Sequence, residues 1–339
     1  MEDIVDAPTS VNLELTKWCP LNCLFCYCKS DSTEHMELSM AKHWLEQAGL
    51  MGVHTVSLSG GETAGYPHLE EVIRYAKEKC GYVSAAFSGY GLTHEKIQSL
   101  QRAGLDAFHI SLNGSTEKVN HASRNGFQYA MRTLENLKKA GIKNFTINYV
   151  LTKENADDFQ NIVALAESYN AEGISILALK PDSQKKLKSR PSASQVYSIA
   201  DQVAAYSGKL YISVESCYSE LVSLIYRRKL INWMYTESTM GCRAGRYTFS
   251  VSVDGRLMPC RHLLMYEDAD NLADYWYHSP ILRQIRELDR MHNSRCANCL
   301  NGDLCRPCIG VRKDIMGSWD APQPCNLFRS RIEEKKDEH

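Results

Sequence analysis

Three cysteines near the N-terminus have the spacing of an iron–sulfur ligand set. Cys19, Cys23 and Cys26 are spaced C-x3-C-x2-C and follow an apolar-alternating run at 11–15 that predicts a first β-strand. Three thiolates on one loop can hold three corners of an iron–sulfur cube and leave the fourth iron open, as a catalytic site requires. The alternative is a zinc knuckle, which would need a fourth ligand nearby. Cys28 is the local candidate, and its position directly after this loop is a poor one from which to reach around the metal.

The composition is that of a globular protein of ordinary charge. The 339 residues are 44% hydrophobic and 23% charged, with a net charge of -1. This balance argues against nucleic acid as the main partner. No apolar run approaches membrane-spanning length, and the first residues lack the features of a signal peptide, so a cytoplasmic protein is expected.

The 13 cysteines are numerous for a cytosolic chain of this size and therefore indicate metal rather than disulfides. Between the two ends lie only Cys80 and Cys217, which we interpret as small buried apolar residues. Residues 249–253 and 256–259 predict a β-hairpin that turns at Asp254-Gly255. Taken alone, the run C-x2-C-x5-C-x2-C at 296–308 is typical of a zinc ribbon. The C-terminal cysteines are Cys242, Cys260, Cys296, Cys299, Cys305, Cys308 and Cys325.

From residue 10 to about 205 the sequence predicts strands that alternate with helices. The predicted strands are 11–15, 53–59, 82–88, 107–112, 145–151 and 173–179. The predicted helices are 40–50, 69–80, 95–103, 130–140, 156–169 and 195–205. Six such units favour an α/β fold, a partial, open (β/α)6 TIM-like barrel with a parallel sheet. In such a barrel the active site lies at the carboxyl ends of the strands, where the first cysteine loop would also lie.

With Phe25 at its aromatic position, the C-x3-C-x-Φ-C loop resembles the cluster loop of the radical S-adenosylmethionine (radical SAM) enzymes. The resemblance implies a [4Fe–4S] cluster whose open iron chelates S-adenosylmethionine. It also implies reductive cleavage of that cofactor to a 5′-deoxyadenosyl radical, which abstracts a hydrogen atom. Phe25 would pack near the adenine.

The same resemblance extends to the end of the second predicted strand. Gly60, Gly61 and Glu62 are similar to the family's GGE motif, which holds the amino group of the cofactor's methionine moiety. Thr63 stands where the family usually has proline, a departure expected to alter the rim of the site. Without the cysteine loop, two glycines after a strand would more often mean only a tight turn.

Three further cofactor contacts are implied. Ser111, in a segment similar to the family's S-L-D-G with Asn113 for Asp, would bond the methionine carboxylate. Arg124 matches an arginine that makes a charge-assisted contact with the same carboxylate, although a solvated loop residue is the alternative. Leu179, at the end of the sixth predicted strand, would lie near the adenine.

The C-terminal cysteines resemble the SPASM extension of radical SAM peptide-modifying enzymes, which carries auxiliary [4Fe–4S] clusters. The resemblance assigns Cys242, Cys260 and Cys308 to the first auxiliary cluster. Since the extra cysteine that some members have shortly before the Cys242 position is missing from 236–240, this cluster has either an open iron or an unnamed ligand. The second cluster would take Cys296, Cys299, Cys305 and Cys325.

The expected domains are a short arm at 1–9, the radical SAM barrel at 10–205, a bridge at 206–240, the SPASM domain at 241–328 and a tail at 329–339. The lysine-rich connection at 180–194 is either a rim loop over the barrel mouth or a solvated charge run.

The resemblance implies an oxidoreductase that modifies a ribosomally made peptide or protein by oxidation or crosslinking. Arg261 occupies the position where sulfatase-maturing members have a basic aspartate, which argues against that activity. No general base can be named; His262, His109 and Tyr90 are candidates that packing alone would also explain. Because only nine residues precede the first predicted strand, the peptide leader is expected to need a separate binding protein or the barrel itself.

The electron donor would be a flavodoxin or ferredoxin. The alternative functions are a radical SAM dehydrogenase or rearrangement enzyme for a small molecule and, from another class, a non-catalytic zinc-binding interaction protein.

Overall fold

A computed structural model describes residues 6–27, 31–228, 241–288, 299, 305–319, 321 and 325. Its centre is one sheet of nine strands in the order β7-β6-β5-β4-β3-β2-β1-β8-β9, within which only β8 and β9 pair antiparallel. The strands are β1 (Ser10–Glu14), β2 (Thr55–Ser59), β3 (Tyr82–Phe87), β4 (Ala107–Ser111), β5 (Phe145–Leu151), β6 (Gly173–Ala178), β7 (Tyr211–Val214), β8 (Thr248–Val251) and β9 (Leu257–Met258).

Helices follow most of the strands in the described part of the chain. They are α1 (Leu38–Leu50), α2 (Leu69–Cys80), α3 (His94–Ala103), α4 (Glu117–His121), α5 (Phe127–Lys139), α6 (Phe159–Ser168), α7 (Gln184–Leu187), α8 (Ala193–Ala205), α9 (Ser219–Arg227), α10 (Leu272–His278), α11 (Pro280–Glu287) and α12 (Ile309–Met316). Within the described ranges, none of these helices is long and apolar enough to cross a membrane.

Helix α2 illustrates why the sequence folds in this way. Glutamates occupy its first turn and lysines its last, which complements the helix dipole. Its apolar residues recur every three or four positions and are buried against the sheet. Burial of each valine, leucine or isoleucine side chain contributes roughly 1.5–3 kcal/mol.

The predicted α/β fold with a parallel sheet is confirmed, and the six predicted strands are β1 to β6. The sheet continues at both ends. Strand β7, which falls in the predicted bridge, pairs with β6, and β8 of the predicted hairpin pairs in parallel with β1. The domain boundaries stay a prediction. The arm's first five residues, the whole tail and the end of the bridge lie outside the described residues.

The two faces of the sheet differ in chemistry. Side chains on one face, such as Val56, Ile110 and Phe249, are fully buried and belong to the same hydrophobic core as the helix faces. On the opposite face, neighbouring strands present polar side chains at paired positions. Paired residues of two parallel strands point to the same side of the sheet. That polar row is Asn12, Ser57, Ser84, His109, Ser111, Thr146, Asn148, Ser175, Ser213 and Ser250.

Candidate functional site

The first cysteine loop lies at the carboxyl end of β1 and is held by neighbouring loops. The Leu24 N–H donates to the Ser123 carbonyl at 3.0 Å, and the Asn22 N–H donates to the Asn125 side-chain oxygen at 2.9 Å. From the lysine-rich connection, the Lys186 ammonium group donates to the Cys26 carbonyl at 3.1 Å. Contacts from two separate segments therefore fix the backbone of the cysteine loop, and the lysine-rich connection reaches the rim of the site.

The donor set of the first cysteine loop is three thiols. Thiolates are the usual protein ligands of an iron–sulfur cube. A four-iron cube binds each thiolate through a different iron, so its ligands need not meet at one point. Burial raises the pKa of the Cys19 thiol, as do the neighbouring Glu62 and Cys23, while Arg124 opposes them. Cys19 thus interacts electrostatically with Cys23 and with two of the predicted cofactor contacts, Glu62 and Arg124.

The glycine pair packs against the cysteine loop. The Gly61 N–H donates to the Thr16 carbonyl at 2.6 Å, and the Glu62 N–H donates to the Trp18 carbonyl at 2.7 Å. A Cβ atom on Gly61 would collide with the Trp18 carbonyl. The lack of a side chain at Gly61 is therefore explained by the contact with the chain that leads into the cysteine loop, and the cofactor contact of Gly60 and Gly61 stays a prediction.

Glu62 is buried and its carboxylate is saturated with hydrogen bonds. It accepts from the Ser88 N–H at 2.8 Å, from the Ser88 hydroxyl and from the Ala64 N–H at 3.1 Å. Burial raises the pKa of the Glu62 carboxyl, while these hydrogen bonds and Arg124 act in the opposite direction. In this arrangement Glu62 ties the end of β2 to the end of β3.

The segment after β4 positions Ser111 and Arg124. Asn113, which replaces the family's aspartate, is fully buried and points into the protein. It accepts from the Val150 N–H at 3.0 Å and donates to the Ser123 hydroxyl at 3.0 Å. The Arg124 N–H donates to the Asn120 carbonyl, and the Asn120 side-chain N–H donates to the Arg124 carbonyl, both at 2.8 Å. The asparagine thus supports the loop, and the contact of Ser111 with the cofactor stays a prediction.

The remaining predicted contacts and candidate bases are distributed around the site. Phe25 is half-buried on the cysteine loop, and Leu179 is buried after β6. His109 lies within β4, where its Nδ1 is 2.7 Å from the Thr146 hydroxyl. The ring of Tyr90 packs edge-on against those of Trp18 and Tyr129.

A second centre lies beside the polar face of the sheet. A cavity of about 290 Å³ is lined by Cys242, Cys260 and Cys308, the three ligands predicted for the first auxiliary cluster. Cys217 lines the same cavity, where its thiol interacts with Cys308 and with the Glu215 carboxylate. Our interpretation of Cys217 as a small apolar core residue is therefore wrong, because the turn after β7 directs it toward polar partners.

Cys80 differs from Cys217 in this respect. It is 7% exposed and packs in the hydrophobic core at the end of α2, as predicted. Burial raises the pKa of the Cys80 thiol to about 11, so the group stays neutral.

A buried ion pair accompanies the cavity. Lys180 and Glu215 form a salt bridge on the cavity wall. Burial opposes charge on Lys180, but the negative groups around it, Cys217 and Glu215 foremost, raise its pKa well above the ordinary value. The spacing of the sequence did not reveal Cys217 or this pair. The available signal was their position, since Lys180 and Cys217 follow the ends of adjacent parallel strands.

Two residues of the C-terminal hairpin connect the cavity to the first site. Arg261 donates to the Gly60 carbonyl at 3.0 Å. The His262 ring packs edge-on against Tyr27, which follows Cys26 in sequence, and its Nδ1 is 3.5 Å from the Cys308 sulfur. Burial lowers the pKa of His262 to about 4, so its ring is neutral at pH 7.

The ligand set predicted for the second auxiliary cluster is described only in part. Cys296 lies outside the described residues. Cys325 packs at the edge of the hydrophobic core and interacts electrostatically with Tyr218 and Arg190. The assignment of Cys299, Cys305 and Cys325 to one cluster stays a prediction.

Comparison with known proteins agrees with the chemistry of the first site. Residues 13–166 match the Radical SAM superfamily. The PqqA peptide cyclase of Ruegeria pomeroyi is 26% identical and aligns over 93% of this chain and 83% of its own. The AdoMet-dependent heme synthase of Methanosarcina barkeri is 23% identical over 96% of this chain and 98% of its own.

The fold is also similar to that of a solved structure, Streptococcus suis SuiB bound to the precursor peptide SuiA. The TM-score is 0.77 at 21% identity, with 96% of this chain and 76% of the SuiB chain covered. With 96% of the chain covered, the similarity extends beyond residues 13–166.

Proposed function

The chain carries a radical SAM domain at residues 13–166, and we propose that it modifies a ribosomally made peptide or protein by oxidation or crosslinking. Its cofactors are a [4Fe–4S] cluster and S-adenosylmethionine, which together supply the radical that abstracts hydrogen. In this proposal Cys19, Cys23 and Cys26 hold the cluster, and the glycine pair, Glu62, Ser111 and Arg124 orient the cofactor.

The observation that carries the peptide assignment is the polar row on the face opposite the helices. Several of its members already pair with one another, as Ser175 does with Ser213 at 2.9 Å and Ser57 with Ser84 at 3.3 Å. A peptide brings one N–H and one C=O group per residue, and each needs a partner when it is buried. A strip of hydroxyl and amide side chains provides such partners. The peptide-acting relative and the peptide complex with a similar fold support the same assignment.

The heme synthase relative favours a second candidate, a radical SAM enzyme that acts on a small molecule. A porphyrin presents a broad apolar ring, and pockets for such ligands are lined mainly by apolar and aromatic side chains. The polar row, with His109 its lone aromatic member, offers little of that surface. This contrast is why a peptide substrate is preferred.

The reaction needs an electron donor for its first step and an electron acceptor for its last. An external donor such as a flavodoxin or ferredoxin would reduce the first cluster, and auxiliary clusters would accept the electron released when the substrate radical is oxidised. Thiolate clusters are kept intact in a reducing compartment, which fits a cytoplasmic enzyme.

The test is a co-expression experiment followed by mass spectrometry. Short peptides encoded next to this gene would be expressed with the enzyme under anaerobic conditions, and a modified peptide is expected to lose the mass of two hydrogen atoms. The Cys19/Cys23/Cys26→Ala variant is the control and should leave the peptide unchanged. If the enzyme cleaves S-adenosylmethionine, ignores every peptide and instead converts a heme precursor, the peptide proposal is wrong and the small-molecule candidate replaces it.

A further inference from the structure

We propose that Cys217 is the fourth protein ligand of the first auxiliary iron–sulfur cluster, together with Cys242, Cys260 and Cys308. The inference rests on the auxiliary clusters of the proposed function and names the ligand that the C-terminal spacing leaves unassigned. Of the two states that the sequence leaves open, an open iron or an unnamed ligand, it selects full coordination by protein.

The four thiols surround one space. All four cysteines line the cavity of about 290 Å³, which is many times the space that one water needs. Cys217 interacts more strongly with Cys308 than with any other neighbouring group. Cys242 interacts electrostatically with Cys217 on one side and with Cys260 on the other. Each sulfur therefore has at least one of the others nearby, as four ligands of one cube require.

Hydrogen bonds that do not involve the thiols hold together the three segments that carry Cys217, Cys242 and Cys308. The Gly241 N–H donates to the Ser216 carbonyl at 2.9 Å. The Cys242 N–H donates to the Arg306 carbonyl at 3.1 Å, and the Ser219 hydroxyl donates to the same carbonyl. The turn that carries Cys217 is thus bonded to the backbone beside Cys242 and to the chain just before Cys308.

His262 is the alternative fourth ligand, and its surroundings argue against it. Its Nδ1 is directed at the Cys308 sulfur at 3.5 Å, and its Nε2 lies 3.7 Å from the Asp314 carboxylate. Nδ1 is thus engaged with a predicted ligand thiol, while Nε2 is buried on the side of Asp314 without a hydrogen-bond partner among the described residues. A Cβ atom on Gly310 would collide with the ring, so helix α12 confines His262 closely. We assign it a positioning role, because hydrogen bonds to the cluster sulfurs tune such centres.

The charge at the cavity wall also fits a cluster with four thiolates. Ligation by a fourth thiolate adds a negative charge to a buried centre, which is unfavourable unless it is compensated. Lys180 supplies a partly buried positive charge on the wall of the same cavity. Glu215 holds the ammonium group in place through their salt bridge. An open iron would have less need of this cation.

The experiment isolates the auxiliary clusters from the catalytic one. In a Cys19/Cys23/Cys26→Ala background, Cys217→Ala is compared with the parent and with Cys80→Ala, a matched control for loss of a buried thiol. Iron and sulfide per chain and the electron paramagnetic resonance (EPR) spectrum of the reduced protein are measured. We expect Cys217→Ala either to lose about four irons or to give a cluster whose EPR spectrum changes when cyanide is added, because one iron has become open. Cys80→Ala should match the parent.

A second measurement covers the case in which Cys217→Ala does not fold. Wild-type protein is alkylated with iodoacetamide before and after removal of its iron, and labelling of each cysteine is determined by mass spectrometry. We expect Cys217 to be protected with Cys242, Cys260 and Cys308 in the iron-loaded protein and labelled in the iron-free protein.

The proposal would be overturned by unchanged iron content and EPR spectra in Cys217→Ala, by equal labelling of Cys217 in both states, or by zinc in place of iron. A background variant without any C-terminal iron would overturn it as well. None of these results depends on peptide modification, so they are distinguishable from a failure of the proposed function.

Discussion

Glu62 shows that a side chain implied as a cofactor contact can also hold the backbone around its site. Its carboxylate is buried and accepts hydrogen bonds from the ends of two strands, through the N–H groups of Ala64 and Ser88. If the predicted cofactor site is correct, Glu62 would act on the cofactor through the position of the glycine turn as well as by contact.

Replacement of Glu62 by alanine should therefore destabilise the protein even without clusters. Glu62→Ala leaves two backbone N–H donors without their acceptor, and each unpaired buried donor costs about 1–3 kcal/mol. We expect the free energy of unfolding to fall by about 2 kcal/mol or more. Urea denaturation of the cluster-free protein at pH 7, followed by tryptophan fluorescence, measures it.

The matched control is Glu154→Ala at an exposed glutamate, which should change the free energy of unfolding by less than about 0.5 kcal/mol. Equal stability of Glu62→Ala and Glu154→Ala would show that Glu62 has no structural role. The prediction would then be wrong, and only a ligand role would remain.

His109 contributes one part of the pH dependence of stability, and His262, whose pKa burial also lowers, contributes another. Burial lowers the pKa of His109 below the unfolded value of 6.5. At pH values between 6.5 and the lower pKa of the folded state, His109 binds a proton in the unfolded chain but not in the folded chain. The stabilisation is therefore present above pH 6.5 and is lost as the pH falls through the folded pKa, with a slope of at most about 1.4 kcal/mol per pH unit.

His109→Gln should consequently flatten the pH dependence of stability below 6.5. The free energy of unfolding is measured by urea denaturation at several pH values between 5 and 8. Above pH 7 its slope against pH should be the same in the variant and in the wild type. His121→Gln, at an exposed histidine, controls for the number of histidines. An unchanged slope in His109→Gln would contradict the burial assigned to this side chain.

The chain that follows the C-terminal hairpin of β8 and β9 contacts the predicted cofactor site, so both halves of the chain contribute to its surroundings. Arg261 follows β9 and donates to the Gly60 carbonyl at 3.0 Å, while its guanidinium lies 3.4 Å from Glu14 at the end of β1. The position where sulfatase-maturing members have a base is thus used here to support the glycine turn.

We expect Arg261→Ala to weaken binding of S-adenosylmethionine. Loss of a charged hydrogen bond costs about 1.5–3 kcal/mol. A penalty near the lower limit corresponds to about a tenfold rise in Kd. Isothermal titration calorimetry on the iron-loaded protein measures it. Arg256→Ala is the control, since Arg256 lies on the same hairpin but pairs with Asp254 at 2.7 Å. Equal affinities of the two variants would contradict the role of Arg261.

Local patterns in the sequence were sufficient for most helices and strands. The predicted bounds of β5 and α2 match the structure residue for residue, because Phe145–Leu151 alternates and Leu69–Cys80 has a clear helical period. The pairing of β8 with β1 could not be predicted in this way, since it joins segments more than 230 residues apart. The role of Cys217 was missed for a similar reason. Cys308 and the other thiols at its cavity lie further along the chain, so no local spacing links Cys217 to them.

The candidate site was predictable in its residues but not in its supports. The cysteine loop, the glycine pair and Ser111 all lie at carboxyl ends of parallel strands, as the alternation of strands and helices requires. The sequence did not indicate that Asn113 turns inward, or that Lys186 reaches the Cys26 carbonyl. Such contacts depend on which loops meet in space, and no local periodicity encodes that.

The whole molecule is organised by one continuous sheet that crosses the predicted domain boundaries. β1 lies in its interior, with β2 on one side and β8 on the other. The segment before β1 extends the contact with the segment before β8, because the Thr9 N–H donates to the Tyr247 carbonyl at 2.9 Å. The cysteine-rich half therefore covers an edge that the barrel half would otherwise leave open.

A chain truncated after residue 240 should accordingly not behave as an independent domain. Removal of β8 exposes the unpaired N–H and C=O groups of β1 and the apolar side chains that pack beside Phe249 and Val251. Exposed edge strands with apolar neighbours promote association. We expect fragment 1–240 to elute as aggregates in size-exclusion chromatography, and its β1 amides to exchange with deuterium faster than in the full chain. Co-expression of fragment 241–339 is the control and should restore both monomeric elution and slow exchange, because it returns β8 to the edge. A monomeric fragment 1–240 with protected β1 amides would show instead that the barrel half closes its own edge, and β8 would then be an addition to a domain that is already complete.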